Sequence, residues 1–281
     1  MSFDLWTVNG ETRIHVESSR IEECMEYYFK NQLHELAINY VRGFSGKDID
    51  FLHSYPDVTS LSLVLPPTAD TSGIRALRNL RRLHCDGGIE IDAVDHPNLE
   101  EFRGEWNPSH RYDAFARLRV LGLWDFRPPS KDLTGLAAPL SLRNLKLVQP
   151  KIQTLTGLAR FSELEELELA YVPKNVVDFA DVGLLTHLIR LELEKCKGIQ
   201  SYEFLKNLTQ LEWLEISGCA DLPSVKFLEH LPALQHFSFV ETTVVDGDLS
   251  PVLRLPYVGF FGKRHYSHTP SQVEKIIRQR Q

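Results

Sequence analysis

Four segments of the chain repeat one apolar spacing: Leu164-x-x-Leu167-x-Leu169, Leu188-x-x-Leu191-x-Leu193, Leu211-x-x-Leu214-x-Ile216 and Leu234-x-x-Phe237-x-Phe239. They return at intervals of roughly two dozen residues, too long a period for a coiled coil and too short for a helical-pair repeat. Alternation within each triplet is the signature of a short strand with one face buried. A chain that repeats such a strand at constant spacing stacks coil on coil and buries its core between neighbours, so 281 residues can form one solenoid.

The same template continues upstream and downstream with falling quality. Matches begin at Leu33, Leu36 and Ile38, then Val58, Leu61 and Leu63, then Leu80, Leu83 and Cys85. Leu99, Phe102 and Gly104 form a weak one, followed by Leu118, Leu121 and Leu123, and by Leu142, Leu145 and Leu147. Leu255, Val258 and Phe260 close the series after the four clear repeats, for about eleven coils. Leu222, Val225, Leu228 and Leu231, and likewise Ile152, Leu155 and Leu158, continue the apolar pattern between strands as return-side core.

This pattern resembles the bacterial, internalin-like class of leucine-rich repeat proteins. The resemblance implies an α/β leucine-rich repeat solenoid, a curved horseshoe with a parallel concave sheet, short helical turns on the convex side and a cap at each end. Irregularity is expected at Gly104, a core position without a side chain, and in the connection from Asp125 to Pro139, where Pro128-Pro129 stops any helix.

The expected boundaries are an amino-terminal cap over 1–32, repeats over 33–262 and a carboxy-terminal cap over 263–281. Phe3 to Val8 and Glu11 to Val16 alternate around Asn9-Gly10, a two-residue hairpin turn signal. Ser19-Arg20-Ile21-Glu22 offers a capping box for a first helix whose apolar face is Ile21, Cys24, Met25, Tyr28 and Phe29. Thr269-Pro270-Ser271-Gln272 offers a second, for a helix with the apolar stripe Val273, Ile276 and Ile277.

A net charge of −7 argues against a nucleic-acid partner, since phosphate contacts need clustered cations. No basic leader with a long apolar core opens the chain and no apolar run approaches a membrane span, so a cytoplasmic address without a membrane partner is the expectation. The four cysteines have structural places: Cys24 on the helix face, Cys85 in a strand core, and Cys196 and Cys219 each three residues beyond the last strand position. The resemblance implies that this last position bonds the turn backbone. No Cys-x-x-Cys, nucleophile motif or phosphate loop occurs, and His265 and His268 lack the partners a metal site needs, so no cofactor and no catalysis are expected.

Function is therefore sought in the outward strand positions. In the clearest repeats these are Glu166, Glu168 and Ala170; Arg190, Glu192 and Glu194; and Trp213, Glu215 and Ser217. Glu168, Glu192 and Glu215 should stack about 4.8 Å apart, at a cost of roughly 1 kcal/mol per pair in water that folding does not require. They fit a docking strip for a cationic partner, or else a solvated polar face partly neutralised by Arg190 and Lys146. Trp124, Val148, Ala170 and Tyr171 should make an apolar strip beside the acids with Trp213 beyond them, the tryptophans serving as interface anchors unless Trp124 folds down as packing. The resemblance implies a scaffold that grips a protein partner on its concave face; the acidic ladder adds the expectation that this partner has a basic surface, and the two caps the expectation of a monomer. An immunity or inhibitor protein masking a basic toxin or nuclease is the alternative within binding, and an enzyme using His265 to His268 is the alternative of another class.

Overall fold

The computed structural model describes residues 2–87 and 89–280; Met1 and Gln281, the outermost residues of the expected caps, lie outside them. It divides into two compact units, Met1–Leu121 with Ala137–Pro139, and Gly122–Leu136 with Leu140–Gln281.

In the first unit β1 (Leu5–Val8) and β2 (Glu11–His15) form an antiparallel hairpin whose turn residues Asn9 and Gly10 take φ of 51° and 83°. Parallel strands follow in chain order: β3 (Glu35–Asn39), β4 (Ser60–Val64), β5 (Arg82–Asp86) and β6 (Glu101–Glu105). The strand β7 (Val120–Trp124) is divided between the units.

The second unit carries β8 (Asn144–Val148), β9 (Glu166–Ala170), β10 (Arg190–Glu194), β11 (Trp213–Ser217), β12 (His236–Ser238) and β13 (Tyr257–Gly259), parallel and in chain order. Each of the eleven apolar triplets lies on or beside one strand from β3 to β13. Their leucines are fully buried in β9, β10 and β11, and the return segments are short 3-10 turns that bury Leu158, Val182, Leu205 and Leu228. The fold is a leucine-rich repeat solenoid.

After each of the strands β8 to β12 one residue turns left-handed: Gln149, Tyr171, Lys195, Gly218 and Glu241 all have φ between 52° and 58°. Non-glycine residues resist this by about 1 kcal/mol each. The turn is kept because it aims the backbone N–H at the next coil, as from Tyr171 to the Glu194 carbonyl at 2.8 Å and from Lys195 to that of Ser217 at 2.8 Å.

The helix α2 (Pro270–Arg278) has the expected start: the Gln272 amide donates to Thr269 Oγ1 at 3.3 Å and the Thr269 amide to Gln272 Oε1 at 2.8 Å. The helix α1 (Ile21–Lys30) does not. Ser18–Arg20 form a 3-10 turn, Arg20 stands at the cap, and no side chain caps the helix. Ser19 is displaced from that role because Arg20 is held by Glu17 and lies 4.7 Å over the Phe3 ring, while Ser18 Oγ accepts from the Ser45 amide. Glu22 and Glu23 in the first turn complement the helix dipole instead.

Gly104 also departs from expectation. Its strand stays regular, in register with Cys85, because a Cβ there would lie 2.7 Å from Cys85 Sγ and 3.0 Å from Phe102 Cζ. Neighbouring side chains already fill the space. Between Asp125 and Pro139 the chain forms no strand, and Phe126, Leu133 and Leu136 are its buried anchors.

Candidate protein-binding face

Three outward rows run across the second unit's sheet. The middle row is in register from Lys146 through Glu168, Glu192 and Glu215 to Ser238 and Gly259. Lys146 Nζ lies 2.7 Å from Glu168 Oε1, and Arg190 pairs with Glu192. Glu215 has no ion pair or hydrogen bond of its own among the described residues. Burial, together with the charges of Glu192, Glu194 and Glu168 and against the opposing pull of Arg190, pushes its carboxyl above the usual carboxylate range.

The first row reads Asn144, Glu166, Arg190, Trp213, His236 and Tyr257. Asn144 donates to the exposed Glu166 at 2.6 Å. The last four residues are stacked. The Arg190 guanidinium lies 4.2 Å over the Trp213 ring, Trp213 and His236 centroids are 3.3 Å apart at 6°, and His236 and Tyr257 are 4.2 Å apart at 13°. Both faces of the Trp213 indole are thus covered within the molecule, and its buried Nε1 has no partner. What Trp213 offers a partner is an edge held rigid by its neighbours.

In the third row Val148, Ala170 and Glu194 are in register, with Val148 and Glu194 half-buried and Ala170 only 2% exposed. Tyr171, 45% exposed, projects from the left-handed turn, and its bond to Glu194 pushes its phenol up. Trp124 is half-buried at the end of β7.

The outward face of the first unit carries a charge network absent from the sequence-based candidates. His84 on β5 lies 2.9 Å from Glu101 Oε1 on β6 and 3.3 Å from Glu35 Oε1 on β3, while Arg13 pairs with Glu35 at 3.0 Å and Arg103 with Glu101 at 2.6 Å. Burial opposes the charge on Glu101, but the His84 and Arg103 contacts outweigh it and bring its carboxyl down to about 2. Burial likewise opposes protonation of His84, and bonds to Glu101 and Glu35 more than offset it, so its imidazole is raised.

The histidines of the carboxy-terminal segment pair locally. His265 Nε2 is bonded at 2.9 Å to the Val244 carbonyl, His268 Nδ1 lies 2.9 Å from Ser267 Oγ, and the Tyr266 hydroxyl accepts from the Val244 amide. No group of three metal-capable side chains occurs among the described residues, and no helix among them is long and apolar enough to cross a membrane.

Cys196, Cys219 and Thr242 stack in one column. Cys219 Sγ accepts from the Cys196 amide at 3.3 Å and donates to the Leu193 carbonyl at 3.2 Å, and Thr242 repeats the arrangement one coil on. The bond to the Cys219 sulfur, together with burial, pushes the Cys196 thiol up. Neither cysteine should label with a thiol reagent in the folded protein until urea is added; rapid labelling without denaturant would contradict the buried column.

No family model matches the chain, and no curated protein matches it. Solved structures do. An internalin (inlF) from Listeria monocytogenes aligns over 92% of this chain and 85% of its own with a TM-score of 0.55 at 16% identity. An internalin C2 (inlC2) from the same organism aligns over 74% and 83%, with a TM-score of 0.47 at 19% identity. The class defined by fold is the leucine-rich repeat solenoid of the kind seen in the first of these.

Proposed function

We propose that this chain is a non-catalytic, monomeric, cytoplasmic scaffold whose outward sheet face in the second unit binds a protein partner with a basic surface. The observation that carries the proposal is the middle row, where three glutamates lie in register and only Glu168 and Glu192 have an internal cation. A like-charge ladder is unfavourable in the free protein and is relieved when a partner brings cations. Glu166 and Glu194 extend the negative potential to either side, Trp213 supplies a rigid aromatic edge, and Trp124, Val148 and Tyr171 flank the acids.

The test starts from partners retained on the immobilised protein in a host lysate and identified by mass spectrometry. Reversing Glu168, Glu192 and Glu215 to lysine should slow association about tenfold and flatten its salt dependence. Trp213→Ala should speed dissociation by an amount worth about 2 kcal/mol, because it also frees Arg190 and His236 from the stack. Unchanged rates in both variants, with native circular dichroism, would move the site off this face.

A further inference from the structure

His15, the last residue of β2, is 3% exposed, and neither of its ring nitrogens has a hydrogen-bond partner among the described residues. A neutral imidazole carries one donor and one acceptor, so this ring leaves both unmade. Its backbone is regular: the His15 amide donates to the Asp4 carbonyl at 3.0 Å, and Ala37 of β3 stands beside it in register. Four charged groups act on the ring: Asp4 from just before β1, Arg13 from β2, Glu35 from β3 and Arg42 from the 3-10 turn Tyr40–Arg42. The carboxylates are already paired with the guanidiniums, Asp4 with Arg42 at 3.1 Å and Glu35 with Arg13 at 3.0 Å.

A proton added to this ring needs an acceptor, and the two carboxylates are not equivalent. Glu35 is buried and shared between Arg13 and His84, the latter at 3.3 Å. The Asp4–Arg42 pair is the weaker one, because its side chains are 38% and 46% exposed and water solvates either partner as it leaves. Asp4 also lies directly across the hairpin from His15, and residues opposed in this way carry their side chains on the same face. Burial, aided by Arg42 and Arg13 and opposed by Asp4 and Glu35, holds the His15 imidazole below its ordinary value. The unfolded chain takes up this proton more readily, so the closed arrangement loses stability as the pH falls below 6.5.

We infer that His15 is a proton-operated switch: once protonated, its ring takes the Asp4 carboxylate from Arg42 and releases the Arg42 guanidinium to solvent beside the exposed Trp6. The exchange leaves strand pairing intact. Asn39 Oδ1 accepts from the Val41 amide and the Gly43 carbonyl accepts from the Ser18 amide, so the backbone of the turn stays where it is. What changes is charge. A neutral Asp4–Arg42 pair becomes a neutral Asp4–His15 pair and an unpaired cation near the Trp6 ring, over which Arg42 already lies at 5.9 Å. The switch belongs to the first unit and does not depend on the glutamate strip.

The test is an NMR titration of the full, isotopically labelled chain from about pH 7.5 to about pH 5, following the His15 ring, the Arg42 Nε–H and the Trp6 indole N–H. The His15 ring should titrate below pH 6.5, with the Arg42 and Trp6 signals shifting at the same midpoint. In His15→Leu those two signals should hold their neutral positions throughout. Asp4→Asn deprives Arg42 of its carboxylate at every pH, so its Arg42 signal should start at the acid position. Arg42→Gln should raise the proton affinity of His15 about tenfold, because it removes a cation and leaves Asp4 to the ring. The inference is overturned if His15 stays neutral to the end of the titration, if Arg42 does not move while His15 titrates, or if the Arg42 shift persists in His15→Leu. Loss of the β2 and β3 amide signals at the His15 midpoint would mean that the hairpin unfolds instead, and would also overturn it.

Discussion

Glu101→Gln should lower the free energy of unfolding by about 3 kcal/mol near pH 5.5 and by almost nothing near pH 2. Glu101 is held at about 2 in the folded chain, against an ordinary value of 4.5, by His84 and Arg103 working against burial. A carboxyl depressed on folding contributes its stability above the unfolded value, and the contribution drains away as the pH falls from 4.5 toward 2. His84 acts with the opposite sign. Its raised imidazole contributes fully below the unfolded value of 6.5 and loses that contribution as the pH climbs through the folded value. The Glu35–His84–Glu101 network is therefore most stabilising between about pH 4.5 and 6.5. Urea unfolding across pH checks both limbs: the acid limb should shrink by Glu101's share in Glu101→Gln, with the rest left to other depressed carboxyls such as Glu35, and the alkaline limb should flatten in His84→Gln. Parallel stability curves for parent and variants would mean that the network does not form.

The second large effect is steric. A Cβ on Gly198 would lie 2.2 Å from the Val176 carbonyl oxygen and 2.5 Å from that of Lys174, both backbone atoms of the preceding coil. Neither can rotate aside as a side chain would, so the coils themselves must separate. Gly198→Ala should cost about 3 kcal/mol and lower Tm by about 6–12 °C. It should also disturb the glutamate strip, because Gly198 lies on the connection between β10 and β11. Gly10→Ala is the control: φ is +83° but nothing lies within 4 Å, leaving a conformational cost of about 1 kcal/mol. A melt of Gly198→Ala within a degree of the parent would refute the close approach of these coils.

The amino-acid sequence by itself determined where the strands fall, which residues they bury and which they turn outward. The reason is that a strand's two-residue alternation and the repeat's constant spacing are written in contiguous residues. It determined the Asn9-Gly10 turn and the Thr269 capping box for the same reason, since each closes its bonds within a few residues. Even the adjacency of Glu168, Glu192 and Glu215 was legible, because equal spacing implies equal register.

Only the tertiary structure decided what those outward side chains do with one another. Ser19 lost its cap because Ser18 and Arg20 found partners in other segments. His84 reaches past β4 to Glu35 on β3, a pairing that no row of adjacent strands announces. Tyr257 sits inside the last triplet, between Leu255 and Val258, and nothing in its neighbourhood signals that Arg190, Trp213 and His236 stack toward it from three other strands. Backbone period is local and additive along a solenoid, whereas the choice of side-chain partners depends on rotamers meeting across coils far apart in the chain.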